Sequence, residues 1–387
     1  MFRTITYRRT ETGFSIVELM VGTVIAMVAI LVIFNAFAAF EGQKRSTTTT
    51  NDVQAAGMLA LQAIERDVRM AGYGMTVNNA IISNLLACTT MNTYAAGALT
   101  PVSFMPVSII DGGTGSDSIT ALYATSPFAS TPGMLSAAVA NSSLDPAVSN
   151  TANTTIFNVG DYILLAQPQV PGRPCSRLRV TNTTNLGAFI TLQHATTDPA
   201  NPPAATNIFP AASAPYPAGY DDSAEAPAVV INMGAMPQAR YSVSSNSLTY
   251  QNLTVTGSSA INLASGVVAL KAQYGISNSG SQQINAWVRA TGATWATTAT
   301  TPSAANILRI KALRVAVVVR SSLLEKDNVT STCSNNAGTN NGPCAWSDTA
   351  ANPAPLIDLS ADTNWRRYRY RVFETIIPLR NVIWANL

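Results

Sequence analysis

The pattern of apolar and polar residues divides the chain into a long N-terminal helix and a strand-rich remainder. Residues 14–40 read FSIVELMVGTVIAMVAILVIFNAFAAF and contain one charged side chain, Glu18. As a helix this segment is about 40 Å long, and about 20 apolar residues suffice to cross a bilayer. We therefore predict a membrane-spanning helix over residues 14–40. The positive-inside rule places the basic residues 1–13 in the cytoplasm.

After the apolar stretch the pattern becomes that of an amphipathic helix. Four apolar residues recur at intervals of three, three and four and so share one helix face: Met58, Leu61, Ile64 and Val68. Gly72 is a typical stop signal. The pattern predicts one helix from about Phe14 to Ala71, half in the membrane and half packed on a globular domain. Its weakest segment is Thr47–Thr50, because β-branched residues are poor helix formers.

From Tyr73 onward the periodicity is that of β-strands separated by turn residues and polar tracts. A stretch from Pro199 to Pro227 contains seven of the 21 prolines and predicts a long loop. Residues 277–306 and 327–363 are interpreted as further polar insertions. The predicted strands are Ser118–Tyr123, Tyr162–Ala166, Leu178–Thr181, Phe189–Gln193, Ala228–Asn232, Leu248–Tyr250, Val267–Tyr274, Ile307–Arg320 and Tyr368–Ile377.

Charge is scarce and concentrated at the N-terminus. The formal net charge is +3, of which residues 1–13 carry +2 and the other 374 residues +1. Charged residues make up 11 % of the chain, against about 25 % in a typical soluble protein. A polyanion-binding protein usually has a large basic excess, so nucleic acid is disfavoured as a partner. The single histidine excludes any site that needs two from one chain.

Glu18 is the most informative charge in the apolar helix. A charge inside a membrane helix costs about 2.5–3.5 kcal/mol and usually has a function and a partner. The span contains no basic residue. Cleavage after Gly13 would place the new ammonium group of Phe14 one helical turn from Glu18, where the two could neutralise each other within a chain or between neighbouring chains. An ordinary signal peptide has an apolar region of about 7–15 residues, which is shorter. The alternative is an uncleaved anchor with a tolerated charge.

The N-terminal residues resemble a known type of signal. Gly13-Phe14-Ser15-Ile16-Val17-Glu18-Leu19, preceded by a short basic leader and followed by an apolar helix, is similar to the class III signal of type IV prepilins and pseudopilins. The resemblance implies that a prepilin peptidase cuts between Gly13 and Phe14 and that Phe14 is N-methylated. It also implies that Glu18 pairs with the N-terminus of an adjacent subunit during assembly.

Three later segments resemble the PilW group of minor pilins. They are Glu65–Tyr73, Leu313–Ser321 and the stretch from Tyr370 through Leu379-Arg380-Asn381. Members often carry a cysteine just after the first of these segments, whereas here Met75 follows Gly74 and the first cysteine is Cys88. The resemblance implies an α+β fold of the type IV pilin kind, in which the long N-terminal helix packs on a mainly antiparallel β-sheet domain.

The four cysteines allow three disulfide connectivities. An exported domain favours disulfides, and the preferred pair is the local one, Cys333–Cys344, because it would close a loop too polar to fold on its own. That leaves Cys88–Cys175 as the second pair. The alternative is four free buried thiols. A zinc site is disfavoured because no CxxC motif is present and His194 is the single histidine.

Other groups of residues have weaker functional interpretations. Arg367, Arg369 and Arg371 alternate with apolar residues, so on a strand they would share one face, either as an anion-binding surface or as a solvated one. The loop Asp111–Ser118 contains acidic residues and glycines as calcium loops do, but it lacks the EF-hand spacing and is better interpreted as a turn. No nucleophile, Walker A or Rossmann motif is present, so we expect no enzyme activity, no cofactor and no metal.

The sequence therefore predicts a minor pilin, with residues 1–13 as a cleaved leader, 14–72 as the N-terminal helix and 73–387 as a β-rich domain. The resemblance implies an inner-membrane protein with a periplasmic domain that later joins a pilus, or a tip or priming complex that initiates assembly. Implied partners are other major and minor pilins, prepilin peptidase, the inner-membrane pilus assembly machinery and a tip adhesin. One alternative is a type II secretion pseudopilin. Alternatives of another class are a membrane-anchored exported enzyme and a DNA-binding uptake subunit.

Overall fold

The computed structural model describes residues 13, 15–77, 85–86, 88, 90–95, 98–139, 144–149, 156–170, 173–194, 219–223, 225–255, 257–297 and 302–384. The chain divides into two compact units, Met1–Asp52 and Val53–Leu387. The predicted proline-rich loop lies largely outside the described residues. Within them the fold is a long N-terminal helix followed by a mostly antiparallel β-sheet domain, which confirms the predicted α+β class.

The helices comprise one long and several short elements. The long helix is uninterrupted through Thr47–Thr50, where the Thr48 hydroxyl donates to the carbonyl of Lys44 at 3.0 Å. The expected weak segment is therefore helical. The helix ends before Gly72, whose φ of 85° lies in the left-handed region that favours glycine. The helices are α1 (Ile16–Met70), α2 (Gly292–Trp295), α3 (Ala304–Ile307) and α4 (Arg380–Trp384), with a 3₁₀ turn at Trp365–Arg367.

Among the described residues the strands form six sheets. Their bounds in chain order are β1 (Thr76–Val77), β2 (Leu85–Leu86), β3 (Thr90–Ala95), β4 (Ala98–Ser103), β5 (Val107–Ile110), β6 (Ser118–Leu122), β7 (Gly133–Met134), β8 (Ala147–Ser149), β9 (Tyr162–Ala166), β10 (Cys175–Arg179), β11 (Asn182–Asn185), β12 (Phe189–Gln193), β13 (Val229–Gly234), β14 (Gln238–Ser244), β15 (Ser247–Asn252), β16 (Ile261–Ser265), β17 (Val267–Ser277), β18 (Ile284–Val288), β19 (Ile310–Arg320), β20 (Cys333–Asn335), β21 (Gly338–Asn340) and β22 (Tyr370–Pro378).

The sheet orders are β4-β3-β10-β9-β13-β7, β16-β15-β14-β6-β5, β18-β17-β19-β22 and β11-β12-β8, with the two-stranded pairs β1-β2 and β20-β21. Among the described strands the pairings are antiparallel except for β3 with β10, which run parallel with Cys175 opposite Met91. The central strands β17 and β19 are buried on both faces, so β19 reads as an almost continuous apolar run rather than an alternating one. These two central strands therefore lie in the interior of the domain.

The second half of α1 buries one face, but not the face expected at every position. Ile64 and Val68 are fully buried as predicted, whereas Met58 is 69 % exposed. The buried face begins instead at Val53 and continues through Gly57 and Ala60. The sequence pattern misses this face at Gly57, because glycine has no side chain and therefore adds no apolar residue to the pattern.

Some predicted strand bounds differ from the observed ones. Residues 304–307 form the short helix α3, so β19 begins at Ile310 rather than Ile307. The strand predicted at Leu178–Thr181 is β10, which begins earlier, at Cys175, and ends at Arg179. The segment 277–306, interpreted as a polar insertion, contains β18 and two short helices. A four-residue helix has too little periodicity to be recognised in a sequence.

Candidate functional site

The first part of α1 is an exposed apolar surface. Residues Ile16–Ala38 form a 23-residue segment with a mean hydropathy of 2.7, none of it buried in the structure. Its large side chains are widely accessible, with exposed fractions from 80 % at Ile16 down to 51 % at Ile30. By length and composition this segment is able to cross a membrane, and its apolar surface requires a lipid or protein environment.

The start of this helix is a capping box. The side chain of Ser15 accepts a hydrogen bond from the backbone N–H of Val17 at 3.3 Å, and Glu18 Oε2 accepts one from the backbone N–H of Ser15 at 3.0 Å. This reciprocal pair satisfies two of the backbone donors that a helix start leaves free. The S-x-x-E pattern at residues 15–18 is the ordinary sequence signal of such a cap and could have predicted it. Glu18 therefore has a local partner besides any role in assembly.

The predicted processing site lies directly before the cap. Gly13 is exposed, and a side chain at this position would meet no atom within 4 Å. Phe14 lies outside the described residues. The backbone at Gly13 is therefore accessible, while cleavage at Gly13–Phe14 and methylation of Phe14 stay predictions.

A buried acid joins the second half of α1 to the sheet. Asp67 is 2 % exposed, and its Oδ2 accepts a hydrogen bond from the Tyr241 hydroxyl at 2.7 Å, while Oδ1 accepts one from Arg66 Nε at 2.8 Å. Burial and the neighbouring Asp67 carboxylate raise the pKa values of Tyr241 and Tyr123. The Tyr241 hydroxyl therefore keeps its proton into alkaline solution and continues to donate it to the carboxylate.

Two further contacts connect α1 with the C-terminal residues of the chain. A Cβ on Gly57 would lie 2.2 Å from the ring of Phe373, so only glycine allows this ring to approach the helix. At the end of α1, Asn381 Nδ2 donates to the carbonyl oxygens of Met70 and Ala71, each at 3.1 Å. The Met70 carbonyl also accepts from the backbone N–H of Tyr73 at 3.1 Å, so Asn381 adds a second donor there and supplies one to the Ala71 carbonyl at the helix end.

The three segments that resemble PilW lie together. Leu313–Ser321 belongs largely to β19 and Tyr370–Asn381 to β22 and α4; the two strands are paired, with Leu313 opposite Ile377. The segment Glu65–Tyr73 is the end of α1 and the turn after it, and Asn381 bonds to it. Segments that are far apart in the sequence therefore form one continuous structural unit.

Both expected disulfides are present. Cys88 is bonded to Cys175 and Cys333 to Cys344, and no free cysteine occurs among the described residues. The first bond lies beside the parallel pairing of β3 and β10, where few ladder hydrogen bonds hold the strands together. The second closes the loop that carries β20 and β21. The disulfides therefore cross-link a short parallel strand pairing and a polar loop.

The alternating arginines do not form the predicted stripe on a strand. Arg367 lies in the 3₁₀ turn and Arg369 precedes β22, so only Arg371 belongs to the strand. Arg367 Nε donates to the backbone carbonyl of Glu325 at 2.8 Å, and Arg369 Nε to its carboxylate at 2.7 Å. Trp365 initiates the turn by burying its ring, which interrupts the alternation. The geometric basis for an anionic contact at this stripe is therefore wrong.

The loop Asp111–Ser118 is a structural turn. Asp117 accepts from Lys271 Nζ at 3.0 Å, and Asp111 forms a two-fold contact with Arg289 at 2.6 and 2.8 Å. Burial raises the pKa of Asp111, but the hydrogen bonds from Arg289 and the Gly113 N–H outweigh it and hold that pKa below its usual value. Side-chain cations thus occupy the positions that a calcium ion would take. Within the described ranges no three His, Cys, Asp or Glu side chains are placed to hold a metal.

No curated protein and no solved structure matches the chain. A family model matches residues 238–381. The matched region runs from the start of β14 to Asn381 in α4. It contains the four-stranded sheet, the disulfide Cys333–Cys344 and two of the three segments that resemble PilW. This C-terminal region is similar to PilW, the type IV pilus-assembly protein W, which confirms the resemblance drawn from the sequence.

Proposed function

We propose that the chain is a minor pilin of a type IV pilus. The observation that carries the proposal is the match of residues 238–381 to a pilus-assembly family on a chain that begins with an exposed apolar helix. The apolar segment would hold the subunit in the inner membrane with its β-rich domain in the periplasm. Later the same surface would pack among the helices of other major and minor pilins, in the pilus or in a tip or priming complex that initiates assembly.

In this proposal the role of the protein is assembly, not catalysis. Prepilin peptidase would cleave after Gly13 and N-methylate Phe14. Because Ser15 and Glu18 cap the helix from within the mature chain, cleavage after Gly13 leaves the cap intact. The carboxylate of Glu18 keeps further acceptor capacity and would bind the N-terminal ammonium of an adjacent subunit, which fixes the register between subunits.

The processing step is tested by sequencing the N-terminus of the membrane-extracted protein from cells with and without active prepilin peptidase. We expect Phe14 as the first residue in the former and Met1 in the latter. An intact Met1 in cells with active peptidase would contradict the pilin function and favour a simple membrane anchor.

The assembly role of Glu18 is tested by separating its charge from its capping bond. A glutamine retains the capping hydrogen bond but cannot neutralise an ammonium group. We expect Glu18→Gln and Glu18→Ala both to abolish incorporation into sheared pili while membrane levels stay normal. Glu65→Gln, which changes a partly exposed acid of the same helix that pairs with Arg69, is the matched control. Normal incorporation of Glu18→Gln would show that Glu18 only caps the helix.

The same fractionation separates the pilus from the type II secretion pseudopilus, since a pseudopilin shares the N-terminal signal. Recovery in sheared pili supports the proposal. Recovery exclusively with a secretion complex would favour the pseudopilin.

A further inference from the structure

A polar pocket of about 210 Å³ lies at the end of β17, where the chain turns toward β18 and α3 packs against it. Serines, an asparagine and glutamine side chain, and two basic residues dominate its lining. The residues that line it are Ser277–Gln282, Ala305, Leu308, Arg309 and Lys311. Among these lining residues there is no acid, so the pocket is a concave surface with positive charge.

Lys311 is an unusual residue for this position. It is 2 % exposed, and the described residues provide it with no side-chain hydrogen bond or ion pair. It is the extra residue of a β-bulge, because Gly275 pairs with Ala312 while the next residue, Ile276, pairs with Ile310. A bulge redirects the side chain of its extra residue and is frequent beside functional sites. Burial lowers the pKa of Lys311, with no contribution from an acid.

Arg309 is held in place at the same pocket. Its Nε donates to the carbonyl of Ser277 at 2.8 Å and its Nη1 to Asn306 Oδ1 at 3.1 Å. Its guanidinium carbon lies 5.5 Å from the centre of the Trp295 ring, in a cation–π contact. These contacts use Nε and Nη1 and leave the Nη2 donors for a ligand. A fixed guanidinium loses little freedom when an oxyanion binds.

Lys271, the other buried lysine of the described residues, has polar partners for its ammonium group. Lys271 Nζ bonds to Asp117 Oδ1 at 3.0 Å and to the carbonyl of Gly113 at 2.8 Å. A buried charge without such partners is costly. Among the described residues Lys311 has no such acid, and its Nζ is not among the fully enclosed unpaired polar atoms, so the ammonium opens to the pocket that Lys311 lines, where a ligand can supply the missing negative charge.

We propose that Lys311 and Arg309 form a binding site for an oxyanion, a carboxylate or a phosphate, in the pocket at the end of β17. Lys311 would supply the ammonium and Arg309 the free guanidinium donors, in charge-assisted hydrogen bonds. The serine and asparagine groups of the turn Ser277–Gln282 would surround the anion. The site lies on the globular unit, and its ligand chemistry does not depend on the proposed role in assembly.

The test follows the lysine signals of the full-length chain in detergent, labelled with ε-¹³C-lysine. Four signals are expected, assigned by single Lys→Arg substitutions at Lys44, Lys271, Lys311 and Lys326. Sodium acetate and inorganic phosphate are titrated separately, with sodium chloride of equal ionic strength as the reference. We expect the Lys311 signal to shift and saturate. Saturation by acetate alone identifies a carboxylate site, by phosphate alone a phosphate site, and by both a general oxyanion site.

Arg309→Gln should raise the dissociation constant of the anion that saturates the Lys311 signal by about tenfold. This is the loss of affinity expected for one charge-assisted hydrogen bond. Lys326→Met, which removes an exposed lysine, is the matched control and should leave the titration unchanged. The Lys271 signal reports whether each variant is folded. The proposal would be overturned if the chemical shift of Lys311 does not change on titration. It would also be overturned if that shift changes only with ionic strength, as the shift of the exposed Lys326 does.

Discussion

The two halves of α1 are continuous in sequence but opposite in their surroundings. In Ile16–Ala38 no residue is buried, and Glu18 bonds to the backbone of its own first turn. In Val53–Met70 one face is buried, and Asp67 bonds to Tyr241 across more than 170 residues of sequence. Both halves are apolar enough to need a partner, but within the described residues only the second half finds one. The first half is therefore the part of the helix that is available to other molecules.

The largest effect expected from this comparison lies at Ile64. Ile64→Ala removes a fully buried side chain and should lower the free energy of unfolding by about 2–5 kcal/mol. Met58→Ala, in the same helix but 69 % exposed, should change it by less than about 0.5 kcal/mol. Urea denaturation of the detergent-solubilised chain measures both. Equal losses would restore the face predicted from the sequence and contradict the observed one.

Asp67 should have the next largest effect. Asp67→Asn removes the charged acceptor of the Tyr241 hydroxyl, and hydrogen bonds to charged groups contribute about 1.5–3 kcal/mol. Tyr241→Phe and the double variant complete a double-mutant cycle, whose coupling energy isolates the bond. Glu65→Ala, in the exposed pair with Arg69, should cost about 0.5 kcal/mol or less. A coupling energy near zero between Asp67 and Tyr241 would contradict the role of this pair.

Gly57 and Gly22 provide a matched pair of glycines, one in each half. Gly57→Ala places a methyl group against Phe373, and such overpacking costs about 1–3 kcal/mol. Gly22 has no atom within 4 Å of its missing Cβ, so Gly22→Ala should be neutral or stabilise the helix by up to about 1 kcal/mol. Thermal unfolding of the two variants gives the comparison. Destabilisation by Gly22→Ala would indicate a packing partner that the structure does not contain.

The smallest expected effect lies at the cap. Ser15→Ala should lower the local stability of the first helical turn by about 1 kcal/mol, with no change in the unfolding of the globular unit. Hydrogen exchange of the amides after Ser15 measures it, and Thr23→Ala, where the hydroxyl donates to a carbonyl within the helix, is the control. Unchanged exchange in Ser15→Ala would show that the capping box does not hold the helix start.

The sequence was sufficient for features set by local pattern and insufficient for those set by long-range packing. Strands β9 and β12 coincide with their predicted bounds because their apolar runs end at turn residues. The periodicity predicts that Met58 lies on the buried face. A sequence pattern cannot show that Gly57 and Phe373 meet instead. The alternating arginines suggested a strand, whereas burial of Trp365 turns the chain before β22 begins. The pair Lys311 and Arg309 had no sequence signal, because a bulge and a turn bring it to one pocket.

The contacts of α1 with Phe373 and Asn381 also set the order in which the globular unit can be completed during synthesis. Its first element, from Val53, packs against groups that are among the last to leave the ribosome. A nascent chain that ends before residue 373 therefore keeps the helix face at Gly57 uncovered and lacks the bonds from Asn381 to the carbonyls of Met70 and Ala71. Such high contact order is typical of slowly folding domains, and a chain truncated by its last fifteen residues should not reach the native state.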